Sequence, residues 1–254
     1  MYYRLLLLLF VCVSFACSRQ GKVESYEVVT IELGDSVAAD IGYDTAMAAY
    51  IAPFKEEIDA LESAILNHTE MPMEKGQPEG LLGNFVADLV FEMGNRYYRE
   101  KTGKSADLCL LNNGGLRAPL PQGGISRKNV FELMPFENEI VVLTLTGENI
   151  LGLLEYVAHV GGAPLSNVKM GIRDGKPVDI YIGGVPFDMS QHYKVITSDY
   201  LAHGGDKMQF FKDPIKWEDA GVKIRDAIEE YMVSEKEEGR KLTAAKDQRI
   251  YYAE

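Results

Sequence analysis

The sequence predicts an α+β fold: a single domain of mixed β-sheet with hairpins and flanking helices, spanning residues 26–254 as one unit. Three observations carry that expectation. Two glycine-centred hairpin signals, Asp174-Gly175 and Gly183-Gly184, sit between apolar or alternating runs, so neighbouring strands join antiparallel. Stripes of apolar residues spaced three or four apart interleave with those runs and read as helices. From Tyr26 onward no Pro-, Gly- or Ser-rich linker and no internal repeat divides the chain. Hairpin strands mixed with helices set this pattern apart from a doubly wound parallel sheet.

The elements follow in order. Val28 to Leu33 alternates as a strand does. Asp44 to Asn67 has helical spacing in Met47, Ile51, Phe54, Ile58, Leu61 and Ile65. A second stripe, Leu82, Phe85, Val86, Leu89, Val90, Met93 and Tyr97, ends where Thr102-Gly103 stops the helix. Ala106 to Leu111 is a short buried strand that runs into a glycine pair. Ser126 caps a short helix that must end before Pro135. Ile140 to Leu145 is a strand, after which Thr146 caps the helix Glu148 to His159. Tyr193 to Ser198 is a further strand, leading into a second glycine pair. Asp219 to Glu238 reads as a closing amphipathic helix.

The 254 residues carry 26 Lys and Arg against 38 Asp and Glu, a net charge of −12. Repulsion on that scale opposes nucleic-acid backbones, so no nucleic-acid partner is expected. A small anionic ligand is still admissible, since it feels two or three local arginines more than the total. Apolar residues at 46% and charged residues at 25% exclude a disordered chain.

The front of the chain reads as an address. Arg4 precedes the apolar run Leu5 to Phe15, whose eleven residues at ~1.5 Å each fall short of a ~30 Å hydrocarbon core. A secretory leader fits better than a membrane-spanning helix. The run ends at Ala16-Cys17-Ser18, which resembles a bacterial lipoprotein processing site, although Ser14 stands where Leu is usual. Cys12 follows the bulky Val11 and would cut the apolar run short. The expected organisation is a signal peptide over 1–16, lipid attachment at Cys17, a tether over 17–25 and a domain over 26–254. The expected location is the cell envelope, as a periplasmic or outer-membrane lipoprotein anchored by acyl chains that contribute ~0.8 kcal/mol per buried CH₂. Cys109, inside the apolar Asp107 to Leu111 stretch, reads as a small buried hydrophobe.

Several familiar motifs fail. Gly103-Lys104-Ser105 ends like a phosphate-binding P-loop, but Tyr98 occupies the place of the required earlier glycine. No HExxH, CxxC or GxSxG occurs, and His68, His159, His192 and His203 are widely spread. Asn67-His68 lacks a preceding glycine, so neither a metal site nor a catalytic residue is expected in this chain.

Three segments stand out. LLNNGGLRAPL, from Leu110 to Leu120, empties a strand into Asn112, Gly114, Gly115 and Arg117. LMPFENEIVVLTLTG, from Leu133 to Gly147, puts Phe136 after a proline at a strand start. YKVITSDYLAHGGD, from Tyr193 to Asp206, follows a strand with Tyr200, paired glycines and Asp206. Two aromatics on such loops can sandwich a flat ring at ~1–3 kcal/mol each. Arginine offers a planar fork for phosphate or carboxylate, and an ionised Asp accepts two hydrogen bonds of the kind a sugar diol supplies.

In this order the three segments resemble the C-terminal domain of the 5′-nucleotidase family, over about Tyr43 to Lys212. Leu82-Gly83-Asn84, with Arg96 fourteen residues beyond Leu82, adds a fourth match. The resemblance implies that Phe136 and Tyr200 clasp a nucleobase, with Tyr where the family often has Phe. It implies that Asp206 binds the ribose hydroxyls. Arg96, Asn112 and Arg117 would hold the phosphate and ribose side, with Gly114 and Gly115 shaping that loop. Complete family members place a metallophosphatase domain with two divalent metals ahead of this one. Here the leader stands immediately before the domain, so a standalone protein is expected. No cofactor is expected in the chain itself, the divalent metals belonging to a separately encoded metallophosphatase partner, and the chain alone is not expected to hydrolyse nucleotides. Two functions stay open: the nucleotide-recognition component of a split 5′-nucleotidase in nucleotide catabolism, or a non-catalytic envelope lipoprotein that binds nucleotides or nucleosides.

Overall fold

The computed structural model describes residues 44–254; the expected leader, Cys17, the tether and the strand over Val28 to Leu33 lie outside the described residues. Helix α1, Thr45–Glu62, crosses the boundary between an N-terminal unit ending at Pro53 and a larger unit from Phe54 to Glu254. None of its residues is buried. The helix expected to continue to Asn67 stops at Glu62, and Ile65–Thr69 forms strand β1. Antiparallel pairing with Gly123–Ser126 overrides the helical spacing there, and the buried Asn67 side-chain amide donates to the carbonyls of Met232 at 2.9 Å and Arg240 at 3.2 Å.

Helix α2, Leu81–Thr102, buries Leu82, Phe85, Val86, Leu89, Val90 and Met93 and stops at Gly103, as the stripe requires. At its far end the buried ring is Tyr98, not Tyr97. The Tyr98 hydroxyl donates to the Glu218 carboxylate at 2.8 Å, and burial together with that neighbour pushes the phenol up to about 12. Tyr97 stays half-buried and bonds Glu230.

The chain continues through β2 (Leu108–Leu110), β3 (Gly123–Ser126), α3 (Arg127–Leu133), β4 (Glu139–Thr146) and α4 (Gly147–His159). It goes on through β5 (Leu165–Ser166), β6 (Val168–Arg173), β7 (Lys176–Ile182), β8 (Val185–Pro186), β9 (His192–Ser198) and α5 (Asp199–Ala202). The last elements are β10 (Lys216–Lys223), α6 (Ile224–Glu237) and β11 (Ile250–Tyr252). Ser126 caps α3 in a capping box with Asn129, and the Thr146 hydroxyl accepts from the Asn149 amide to cap α4.

A five-stranded sheet ordered β10-β4-β9-β2-β5 forms the centre, antiparallel throughout except for the β9–β2 pair. Strand period two splits its side chains between two hydrophobic layers. From β4, Ile140 and Val142 join α2 and α6, whereas Val141, Leu143 and Leu145 face α4. In β2, Cys109 goes to the first layer and Leu108 and Leu110 to the second. Cys109 is fully buried, which pushes its thiol well up. Each such aliphatic contributes ~1.5–3 kcal/mol on burial, so both sides of the sheet are firmly held.

A second sheet, β11-β6-β7-β8, contains both expected hairpins, with turns at Asp174-Gly175 and Gly183-Gly184. The helix expected over Asp219 to Glu238 is shorter. Residues through Lys223 belong to β10, where Trp217 pairs with Leu143 and Asp219 with Val141, and α6 begins at Ile224. Edge pairing with β4 claims those residues before the amphipathic stripe Ile224, Ala227, Ile228 and Met232 starts.

Strand direction positions the site. β9 and β2 run parallel, so both release their C-terminal ends at one edge of the sheet. β4 runs against β9 with Ile140 opposite Ser198, so its N-terminal end arrives at the same edge. The loops after Leu110, before Glu139 and after Ser198 therefore lie side by side.

Candidate functional site

Those three loops enclose a cleft of about 600 Å³. Asn112, Gly114, Gly115 and Arg117 line it from the first loop, Phe136, Glu137 and Asn138 from the second, Tyr200 and Asp206 from the third. Seven of the eight ligand-side residues expected from the sequence thus come together. Phe136 and Tyr200 are 43% and 48% exposed, large rings left open to whatever enters the cleft.

Asp206 sits at the join of two loops. Its backbone takes a left-handed conformation with φ +50, and one carboxylate oxygen accepts from the Asn112 amide at 2.5 Å. The other accepts from the Tyr200 hydroxyl at 3.0 Å. Gly205 is required beside it, because a Cβ there would stand 2.5 Å from the Tyr200 ring. In the first loop the Gly115 amide bonds the Asn112 carbonyl at 3.2 Å, and a Cβ on Gly115 would press to 2.8 Å on the Asn112 side-chain oxygen. Arg117 is tied by its backbone amide to the Leu133 carbonyl at 2.8 Å. Its guanidinium donates to the Gly114 carbonyl at 3.3 Å, and the rest of the fork is unclaimed among the described residues.

Two residues that sequence reasoning passed over connect the aromatic loops. One Asp199 carboxylate oxygen accepts both the Asn138 side-chain amide at 2.9 Å and the Tyr200 backbone amide at 2.7 Å. Asn138 also receives the Ile224 amide on its carbonyl at 2.9 Å. The signal was present in Asn138, two residues after Phe136, and in the acid directly before Tyr200. Glu137, also outside the set expected from the sequence, lines the cleft. It is paired with Lys223 and Arg225, which hold its carboxyl down to about 2 through their hydrogen bonds. The nearby Tyr156 phenol is held above its ordinary value by burial, then by the charges of Asp206 and Tyr200.

Arg96 is not brought to this cleft. At ~1.5 Å per residue the fourteen-residue separation carries it ~21 Å along α2 from Leu82. There it forms an ion pair with Glu230 of α6 and lies over the Tyr97 ring. The turn of α2 that buries Met93 and Tyr98 directs Arg96 across to α6, which corrects the expectation that it joins the ligand loops. His203 also lies outside the lining, with its ring 4.8 Å from that of Trp217.

The sequence profile of the 5′-nucleotidase C-terminal domain matches residues 66–213, more than half of the chain. Protein UshA of Escherichia coli is 36% identical over 202 residues, covering 73% of this chain and 36% of that protein. A 5′-nucleotidase of Vibrio cholerae is 23% identical over 237 residues, covering 84% of this chain and 41% of that one. The chain thus spans little more than a third of the length of these curated relatives. In fold it is similar to the 5′-nucleotidase precursor of Thermus thermophilus, with a TM-score of 0.67 at 24% identity over 87% of this chain and 44% of that one. It is also similar to the NAD nucleotidase of Haemophilus influenzae, with a TM-score of 0.61 at 19% identity over 84% and 42%. With loops, register and profile in agreement, the chain belongs to the 5′-nucleotidase C-terminal domain family.

Proposed function

We propose that this chain is the nucleotide-recognition component of a split 5′-nucleotidase in nucleotide catabolism. Phe136 and Tyr200 clasp the base, Asp206 accepts the ribose hydroxyls, and Asn112 and Arg117 face the ribose and phosphate. Gly114 and Gly115 let the first loop approach the ligand closely. The observation that carries this reading is the convergence of two exposed rings and Asp206 on one cleft, formed by three loops from one sheet edge.

The dimetal chemistry belongs, in this proposal, to a separately encoded metallophosphatase. The residues of this chain bind and orient the nucleotide. Export by the leader and acylation of Cys17 complete the proposal, since two lipoproteins on one membrane meet at raised effective concentration.

Calorimetric titration of the full chain with AMP and adenosine tests the clasp, and heat from both is expected. No heat from either overturns it. Mixing with the cognate metallophosphatase is expected to raise AMP hydrolysis. Binding without any such gain overturns the split-enzyme reading in favour of a binding lipoprotein.

A further inference from the structure

We infer that Arg225 is the positioning residue of the cleft, fixing the segment that presents Phe136 to a base. The inference rests on the base-clasp reading above. Arg225 is 7% exposed and stands in the first turn of α6, outside the span matched by the family profile. Its guanidinium donates to the Met134 carbonyl at 3.4 Å, pairs with Glu137 and lies 4.3 Å over the Phe131 ring. Met134 is two residues before Phe136 and Glu137 is one after, so a single side chain grips the aromatic from both sides. Pro135 between them has its own φ restricted by its ring.

The platform beneath is rigid. Ala227, Ile228 and Met232 of α6 are fully buried, and Ile224 lines the cleft itself. A cation in the first turn of a helix opposes the macrodipole, so its place there is compensated by tertiary partners. Lys223 adds a second cation to Glu137, which fastens the exposed side of the same segment.

The test compares AMP with ribose 5-phosphate, two probes that differ only in the base. Titrated against the full chain, Arg225→Gln is expected to weaken AMP about tenfold, since one stacking ring loses its setting. Ribose 5-phosphate is expected to change less than about twofold, because Phe136 does not touch it. Glu137 is exposed, so Glu137→Ala keeps the test alive should Arg225→Gln fail to fold; it is expected to weaken AMP about threefold with ribose 5-phosphate unchanged. Equal losses on both probes in Glu137→Ala overturn the inference, as does unchanged AMP binding in both variants while Phe136→Ala weakens it. Unchanged AMP binding in Phe136→Ala overturns the base-clasp reading itself.

Discussion

Arg117 and Arg96 belong to two regions that the sequence presents as one. Arg117 lies in a loop at the sheet edge and gives one donor to a carbonyl of that loop, leaving most of its fork unclaimed among the described residues. Arg96 lies on α2, where its charge meets Glu230 and its plane covers Tyr97. The difference teaches that a loop arginine can keep donors free where a helix arginine meets an acid of the neighbouring helix. Strand direction delivers such a group to the cleft, while helix packing absorbs the other into a surface ion pair.

The comparison is broken most readily at the rings. Phe136→Ala or Tyr200→Ala is expected to cost ~1–3 kcal/mol of binding for AMP and adenosine alike, since stacking is blind to phosphate. Calorimetry reads both ligands, and a loss confined to AMP would place the rings away from the base.

Asp206→Ala comes next. Hydrogen bonds to a charged group contribute ~1.5–3 kcal/mol, but part of the Asp206 charge is already engaged by Asn112 and Tyr200. A loss of about tenfold is expected for adenosine. Dideoxyadenosine, lacking both ribose hydroxyls, is expected to bind the variant and the parent alike. A matching loss for the dideoxy ligand would assign Asp206 to holding Tyr200 in place.

Arg117→Ala sharpens the contrast between the two arginines. It is expected to weaken AMP by about fivefold while leaving adenosine unchanged, because a partly exposed guanidinium–phosphate contact is screened by water. Equal losses for both ligands, read by the same titrations, would make Arg117 a loop-shaping residue.

How far the chain could be read from its residues follows the same division. The end of β2 before Asn112-Asn113-Gly114-Gly115, the start of β4 after Pro135-Phe136 and the end of β9 at Ser198 are legible, because glycine pairs, proline and caps act locally. Both hairpins and the caps at Ser126 and Thr146 were legible for that reason too. What escaped depends on distant partners. The helical spacing runs on into Ile65, yet Ile65–Thr69 is held as a strand by antiparallel pairing with β3, and Asp219 leaves the expected helix to pair with Val141 of β4. β11 has three residues, too few for any period to register. Arg96 leaves its expected place for the same cause: its spacing from Leu82 is local, whereas its partner Glu230 is 134 residues away in the chain.

The smallest expected effect is therefore at Arg96. Both partners of the Arg96–Glu230 pair are solvent-accessible, at 40% and 44% side-chain exposure, and such pairs contribute ~0–1 kcal/mol. Arg96→Ala is expected to leave the affinities for AMP and adenosine unchanged and to lower stability slightly. Glu230→Gln should produce a similar small loss, and the double variant should lose less than the two together, as a shared interaction requires. Denaturant titration of the four proteins measures the coupling. A selective loss of AMP over adenosine in Arg96→Ala would return this arginine to the ligand and erase the distinction between the two regions. Additive stability losses with unchanged binding would instead show that Arg96 acts by packing its stem and plane against α2, with Glu230 only a bystander.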